Sequence, residues 1–174
     1  MFGRGRAADT ADAIERHIPA LRRFAWALLR DGTAADDLVQ DCLERAVARW
    51  HQRREGGDVK AWLLAILRNV HIDHHHRERR QGQRVALDES TNPTVRPSQE
   101  DGLALSDLLS ALDGLSEDHR ALLLLVGVED LSYAEAAEVL GVPVGTVMSR
   151  LSRARARFRL ALEIGRVVPL RSVR

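Results

Sequence analysis

The sequence predicts an all-α protein made of two small helical domains that are joined by a flexible acidic linker. Glycine and proline are sparse outside a few junctions, aromatic residues make up 4% of the chain, and no stretch alternates apolar and polar residues as a strand does. Apolar residues instead recur at a spacing of three or four. A length of 174 residues suffices for one domain or for two small ones.

Charge divides the chain into blocks, although the formal net charge is only +1. Residues 1–85 contain 16 Lys+Arg and 12 Asp+Glu, residues 86–118 contain one basic and eight acidic residues, and residues 131–174 contain eight basic and three acidic residues. Two basic blocks that flank an acidic middle suit a protein that contacts nucleic acid at two places. We expect domains at 1–80 and 103–174, with the linker at 81–102.

Three helices are predicted for the N-terminal domain, at about residues 11–30, 34–50 and 59–80. Pro19 is expected to kink the first helix or to move its start, and Thr33 to cap the second. The apolar face of the second helix consists of Leu38, Val39, Cys42, Leu43, Ala46, Val47 and Trp50. Its other side carries Asp36, Asp37, Gln40, Asp41 and Glu44. The helix dipole explains acids in the first turn, whereas the later ones suit a surface that docks on a basic protein partner.

The third helix ends in the polar run HHHRERR. Its histidines at positions i, i+3 and i+4 could contact one metal ion, and they are His71, His74 and His75. No carboxylate or cysteine pattern completes a site, so we predict no metal centre. Phosphate contacts suit this end better, because the guanidinium fork binds phosphate well. The arginines concerned are Arg77, Arg79, Arg80 and Arg84.

In the C-terminal domain, residues 131–162 predict a helix-turn-helix. Ser132 and Glu135 form a capping box at the start of a short helix. Gly141 lies where a left-handed cap is needed, and Pro143 cannot continue a helix but tolerates a place at the start of the next one. A short helix, a tight turn and a long helix form the motif that places its second helix in the DNA major groove.

The long helix of this motif has two unlike faces. Its apolar stripe consists of Val144, Val147, Leu151, Ala154, Phe158 and Leu162. The opposite face consists of Gly145, Ser149, Ser152, Arg153 and Ala156. Between residues 144 and 162 there is no acid, and the arginines are Arg150, Arg153, Arg155, Arg157 and Arg159. Small residues allow close approach and arginines reach phosphates, so DNA is favoured as the partner over the alternative of a solvated basic helix.

No catalytic constellation is present in the sequence. No activated nucleophile, phosphate loop or metal cluster emerges, so we predict neither an enzyme nor a bound cofactor. The lone cysteine, Cys42, permits no internal disulfide and lies on an apolar stripe, which predicts a buried thiol in a reducing compartment. No apolar run approaches the length of a membrane span and no signal-peptide core is present, so we expect a cytoplasmic protein without membrane insertion.

Three segments, in this order, resemble parts of one protein family. DDLVQDCLERAVARW is similar to a polymerase-binding helix, KAWLLAILRNVHIDHHHRERR to a helix that opens and reads the minus-10 promoter element, and LSYAEAAEVLGVPVGTVMSRLSRAR to a helix-turn-helix that reads the minus-35 element. The family is that of bacterial RNA polymerase sigma factors of the small extracytoplasmic-function (ECF) type, group IV of the sigma-70 family. The resemblance implies a transcription initiation factor that binds core RNA polymerase and promoter DNA and is controlled by an anti-sigma factor.

The resemblance also implies roles for individual residues. Contacts to the clamp coiled coil of the polymerase would come from Asp37, Gln40, Asp41 and Glu44, and the flap is a further expected contact of the polymerase. Minus-10 DNA would meet Arg68 and Asn69, with Asp73 holding the helix; the phosphate contacts predicted above for Arg77 and Arg80 would lie at the end of the same helix. Minus-35 DNA would meet Thr146, Met148, Ser149, Ser152 and Arg153, with Arg150 and Arg157 reaching phosphates.

Three positions depart from the family pattern. Met148 stands where Lys or Arg is common, Val126-Gly127 replaces a frequently charged position, and Ser116 replaces a usual proline and is predicted to cap its helix. Two other functions stay open from the residues alone. A stand-alone helix-turn-helix regulator would bind duplex DNA without polymerase, and a metal-responsive regulator would use the histidine cluster.

Overall fold

A computed structural model describes residues 3–82 and 101–167, with side chains described for residues 9–77 and 107–163. Within these ranges the chain forms α-helices, one short 3-10 turn at Trp50–Gln52 and no strand, so the all-α prediction is confirmed. The helices are α1 (Gly3–Glu15), α2 (Ile18–Leu29), α3 (Gly32–Arg49), α4 (Val59–Gly82), α5 (Asp101–Asp113), α6 (Glu117–Gly127), α7 (Tyr133–Leu140) and α8 (Val144–Val167).

The helices form two compact units, as the predicted fold class requires. The first contains α1 to α4, and the second contains α5, α6, α8 and most of α7. The greater part of the predicted linker, residues 83–100, lies outside the described residues. No helix in the described part of the chain is long and apolar enough to cross a membrane.

The predicted first helix, at about residues 11–30, is divided in two, because the chain turns between α1 and α2. The His17 N–H donates to the Ile14 carbonyl at 2.9 Å and closes a turn. Pro19 then occupies the first turn of α2, where its missing N–H removes no intrahelical hydrogen bond. Of the two expectations for Pro19, the moved helix start is therefore confirmed and the kink was wrong.

The predicted cap of α3 was also wrong, because the helix begins two residues earlier than expected. The cap is Asp31, whose Oδ1 accepts the Ala34 N–H at 2.8 Å, and Thr33 lies inside the helix. Asp58 makes the equivalent contact at the start of α4, where its Oδ1 accepts the Ala61 N–H at 2.6 Å. A short carboxylate ahead of each helix satisfies a backbone donor that has no partner within the helix.

The core of the first unit lies where α3 packs against α2 and α4. Its largest fully buried side chains are Phe24, Leu21, Leu38, Leu63, Leu64, Leu67, Val70 and Cys42. Cys42 is confirmed as a buried thiol, with its Sγ 3.5 Å from the Leu63 carbonyl oxygen. Burial raises the pKa of this thiol to about 12, because the thiolate would lose its hydration. It is therefore a packing residue and not a nucleophile.

In the second unit, α8 packs against α6 and α5. Leu122, Leu125 and Val147 are fully buried between these helices. Ser116 precedes α6 as predicted, but its hydroxyl makes no capping bond. Arg120 instead joins α6 to the end of α5, since its guanidinium donates to the backbone carbonyls of Leu112 at 3.1 Å and Asp113 at 3.2 Å.

Candidate nucleic-acid interface

The helix-turn-helix is built by a capping box and a left-handed turn. The Ser132 N–H donates to Glu135 Oε2 at 2.8 Å, and the Glu135 N–H donates to Ser132 Oγ at 3.2 Å, so the capping box is confirmed. Gly141 has φ +66, as predicted for the residue after α7. The Pro143 carbonyl then accepts the Thr146 N–H at 2.9 Å, which begins α8.

Three residues fix the orientation of α8. Val147, Leu151 and Ala154 have relative exposures of 0%, 2% and 0%, as the apolar stripe predicted. Val144 departs from the prediction, because it is 40% exposed at the first residue of the helix. The buried contacts of α8 begin one turn later than the periodicity suggested, so the first turn projects outward.

The residues predicted to face minus-35 DNA lie on the outer side of α8. Met148, Ser149, Ser152, Arg153 and Arg157 are exposed, and Thr146 and Arg150 are half-buried. The Ser149 hydroxyl donates to the Thr146 carbonyl at 3.1 Å. Nη1 of Arg150 contacts Asp118 Oδ2 of α6 at 3.2 Å. Arg150 is thus held by a carboxylate, which fixes its guanidinium at the edge of the exposed face.

A shallow groove of about 360 Å³ lies on the other edge of the same face. The residues that line it are Tyr133, Met148, Leu151, Ser152, Arg155, Ala156 and Arg159. The sequence-based assignment of DNA contacts left out Tyr133, Arg155 and Arg159. The signal for the two arginines was present, because positions 148, 152, 155 and 159 follow the i, i+4, i+7, i+11 spacing of one helix side. Tyr133 is on α7, so spacing along α8 could not reveal it. Arginines therefore flank the small residues of α8 on both edges.

His119 was also missed, because it lies on α6 and not on α8. Burial lowers the pKa of its imidazole, and the positive charges of Arg157, Arg150 and Arg153 on α8 lower it further, while Asp118 acts in the opposite direction. Its Nδ1 is buried without a hydrogen-bond partner. Helical periodicity relates residues within one helix, so it could not predict that His119 of α6 lies near the arginines of α8.

The outer side of α3 presents the predicted polymerase-binding residues. Asp37, Gln40 and Glu44 are exposed, and Gln40 Nε2 donates to Glu44 Oε1 at 3.3 Å. Asp41 is half-buried, and its Oδ2 lies 2.9 Å from Nε2 of His74 on α4. Val47 was predicted to be in the core but is 61% exposed. The outer side of α3 therefore combines carboxylates with an apolar side chain.

Residues predicted to meet minus-10 DNA are spread along α4. Arg68 is half-buried, whereas Asn69 and Arg77 are exposed. The side chain of Arg80 lies outside the described residues, as do those of Arg79 and Arg84. Asp73 Oδ2 accepts from Arg45 Nη1 at 3.0 Å, and this hydrogen bond holds the pKa of Asp73 below its usual value.

The predicted histidine cluster is divided among different surroundings. His74 contacts Asp41, His71 is half-buried and His75 is exposed. Among the described side chains, no group of three or more His, Cys, Asp or Glu residues could hold a metal ion.

A helix-turn-helix with a basic exposed face is typical of DNA-binding proteins. Family models described as "Sigma2 domain of PhyR" and "Sigma-70, region 4" match residues 14–68 and 105–158. The ECF RNA polymerase sigma factor EcfG of Rhodopseudomonas palustris is 36% identical over 153 residues, which cover 88% of this chain and 84% of that protein. The chain therefore belongs to the ECF RNA polymerase sigma factor family, whose members are transcription initiation factors.

Other relatives agree with this assignment. SigC of Mycobacterium tuberculosis, also an ECF sigma factor, is 38% identical over 150 residues, which cover 82% of this chain and 80% of that protein. The sigma factor RpoE of Bartonella quintana, solved in complex with the anti-sigma factor NepR, is 37% identical with a TM-score of 0.79. That match covers 90% of this chain and 98% of the solved one. The likeness thus extends across both helical units.

Proposed function

We propose that this sigma factor binds core RNA polymerase through the outer side of α3 and reads the minus-35 element through the outer side of α8. The observation that carries the proposal is the opposite charge of these two exposed faces. The polymerase-facing residues are Asp37, Gln40, Asp41 and Glu44. The minus-35 residues are Thr146, Met148, Ser149, Ser152 and Arg153, with Arg150 and Arg157 at phosphates. A domain division at 1–80, 81–102 and 103–174 belongs to the same proposal.

The minus-10 element is assigned to α4 in this proposal. Arg68 and Asn69 would contact the opened strand, and Arg77 and Arg80 its phosphates. Asp73 acts within the protein, since its carboxylate is bonded to Arg45 of α3. This bond joins the helix that would bind polymerase to the helix that would bind opened DNA. Recognition of unpaired bases requires that their capture offsets the cost of strand opening.

The two basic surfaces acquire sufficient affinity for DNA only when polymerase holds both of them. Each surface alone binds DNA weakly, and such electrostatic binding falls steeply as salt increases. When polymerase fixes both units on one promoter, binding of the first raises the effective concentration of the second. In this proposal the protein has a binding role and no catalytic one. We also expect it to work in the cytoplasm, where core polymerase and promoters are found.

An anti-sigma factor is the proposed regulator. The RpoE protein of Bartonella quintana was solved in complex with the anti-sigma factor NepR. CnrH, which is 26% identical to this chain with a TM-score of 0.67, was solved in complex with the cytosolic domain of CnrY. We infer that a comparable protein covers the exposed faces of this chain until a signal releases it.

The polymerase surface can be tested by charge reversal on α3. Asp37→Arg combined with Gln40→Ala should weaken binding to core polymerase about tenfold or more, because it places a cation where the partner surface is expected to be basic. The dissociation constant of each variant is measured by its binding to surface-immobilised core polymerase. Asp12→Arg on α1 makes the same charge reversal at another exposed position and should have little effect. Equal affinity for the α3 variant and the wild type would refute the assigned surface.

Comparison with and without core polymerase separates the sigma factor from a stand-alone regulator. A randomised promoter library should be retained specifically only when polymerase is present, and run-off transcripts should start at the retained sequences. A stand-alone helix-turn-helix regulator would retain specific duplexes without polymerase. Calorimetric titration with zinc, copper and nickel tests the metal-responsive alternative, which requires tight binding.

A further inference from the structure

Two apolar side chains form a strip on the outer surface of α8. Met148 is 53% exposed and Val144 is 40% exposed. They are four residues apart, so they lie on the same side of the helix. Val147 and Leu151, which flank the strip on the side toward the protein interior, are buried, so α8 cannot turn the strip inward without exposing its own core contacts. The strip is therefore held at the surface.

The strip lies within the first turns of a recognition helix, where side chains approach base edges. Neither a thioether nor an isopropyl group offers a strong hydrogen-bond donor or acceptor. In the major groove, guanine, cytosine and adenine present donors and acceptors, whereas thymine also presents an apolar C5-methyl group. We propose that Met148, with Val144 beside it, recognises the methyl group of a thymine in the minus-35 element. This inference rests on the proposed function of α8.

Charge around the strip favours DNA over a protein as its occupant. The groove beside Met148 is lined by Arg155 and Arg159, both exposed, and by the hydroxyl-bearing Ser152. None of the side chains that line this groove is acidic. An apolar protein segment would have to dock against two guanidinium groups, whereas a DNA strand offers them phosphates while its bases meet Met148.

The nature of residue 148 then sets base preference. Arginine at such a position makes paired hydrogen bonds to guanine O6 and N7, which methionine cannot make. Met148→Arg should therefore change the preferred base from thymine to guanine at one position of the element. Methionine's flexible side chain suits a methyl contact because it adapts to irregular apolar surfaces.

Deoxyuridine provides the test, because it removes only the thymine methyl group. The full chain with core polymerase is first used to select a minus-35 element from a randomised library. Each thymine of the selected element is then replaced in turn by deoxyuridine, and duplex affinity is measured. One replacement should weaken wild-type binding about fourfold, the value expected for one buried methyl group. Met148→Ala should bind the thymine duplex about fourfold more weakly and should be insensitive to that replacement.

A matched variant and three outcomes make the test decisive. Leu160→Ala removes another exposed apolar side chain of α8, 58% exposed, and should keep the sensitivity to deoxyuridine. If Met148→Ala keeps that sensitivity, or if no thymine responds while specific binding persists, the thymine contact is refuted but the function of α8 is not. If Met148→Ala weakens only the binding of a protein inhibitor, the strip is a protein surface. If no element is selected at all, the proposed function fails and the inference fails with it.

Discussion

The helices α3 and α8 are built alike on the inside and differ on the outside. On α3 the buried residues include Leu38 and Cys42, and on α8 they include Val147 and Leu151. The outer side of α3 is rich in carboxylates, whereas the outer side of α8 is rich in arginines. Burial of apolar area drives the packing of both helices, and exposed charges contribute little to folding. The outer sides are therefore available for partners of opposite charge.

Contacts to neighbouring helices fix part of each outer face. On α3, Asp41 contacts His74 of α4. On α8, Arg150 contacts Asp118 of α6. In each case a residue that is predicted to contact a partner also contacts a side chain of a neighbouring helix. Such a residue has a defined position but a weaker net charge toward the partner, so the exposed residues beside it are the sharper targets for mutation.

Arg153→Ala on α8 is expected to have the largest effect among the tests that separate the role of α8 from the role of α3. It should reduce minus-35-dependent transcription about tenfold, because it removes a residue assigned to reading the minus-35 element. Transcription from a template that is pre-melted at the minus-10 element and lacks a minus-35 element should change little, and so should binding to core polymerase. Arg54→Ala removes an exposed arginine far along the sequence and serves as the control. Equal loss on both templates would contradict the role of Arg153 in reading duplex DNA.

Local signals in the sequence account for the parts of the fold that were predicted well. The capping box at Ser132, the left-handed Gly141 and the start of α8 each depend on residues within a few positions of one another. The buried and exposed sides of α8 also follow from helical spacing, with Leu151 inside and Ser152 outside. Short-range hydrogen bonds and helical geometry are encoded in adjacent residues, so sequence reasoning can find them.

Contacts between helices account for the parts that were missed. Val47 and Val144 belong to apolar stripes by spacing, but no neighbouring helix covers them within the described residues, and both are exposed. The proximity of His119 to the arginines of α8 likewise depends on how α6 packs. Periodicity gives the direction of an apolar face, whereas its width is set by packing partners that are distant in sequence. The prediction of Thr33 as the cap, in place of Asp31, failed for a smaller reason: α3 begins two residues before the expected start.

A smaller effect is expected at the helix caps, where two serines provide a matched pair. Ser132 and Ser116 both precede helices of the second unit, but only the Ser132 hydroxyl takes part in capping. Ser132→Ala should lower the free energy of unfolding by about 1 kcal/mol, and Ser116→Ala by a few tenths. Urea denaturation followed by far-ultraviolet circular dichroism measures both. Equal losses would mean that the capping box adds nothing to the start of α7.

The smallest effect concerns pH and the histidine that faces the arginines of α8. Burial and the arginines of α8 lower the pKa of His119, so the folded protein binds its proton less readily than the unfolded chain. The resulting stability is fully present above the unfolded value of about 6.5 and is lost as pH falls below it. His17 on the N-terminal side has a pKa lowered mainly by burial and acts in the same direction.

His119→Gln isolates this contribution, because the amide keeps a polar side chain that does not titrate. The denaturation midpoint of the wild type should decrease as the pH is lowered from 7 to 5. The midpoint of the variant should decrease less steeply over the same interval. His17→Gln should reduce the slope as well, but the two reductions should add, because the residues lie in different units. Asp73, whose pKa is lowered from 3.8, loses its contribution only at lower pH and does not affect this interval. An unchanged slope in His119→Gln would show that the imidazole is hydrated and that the arginines of α8 do not act on it.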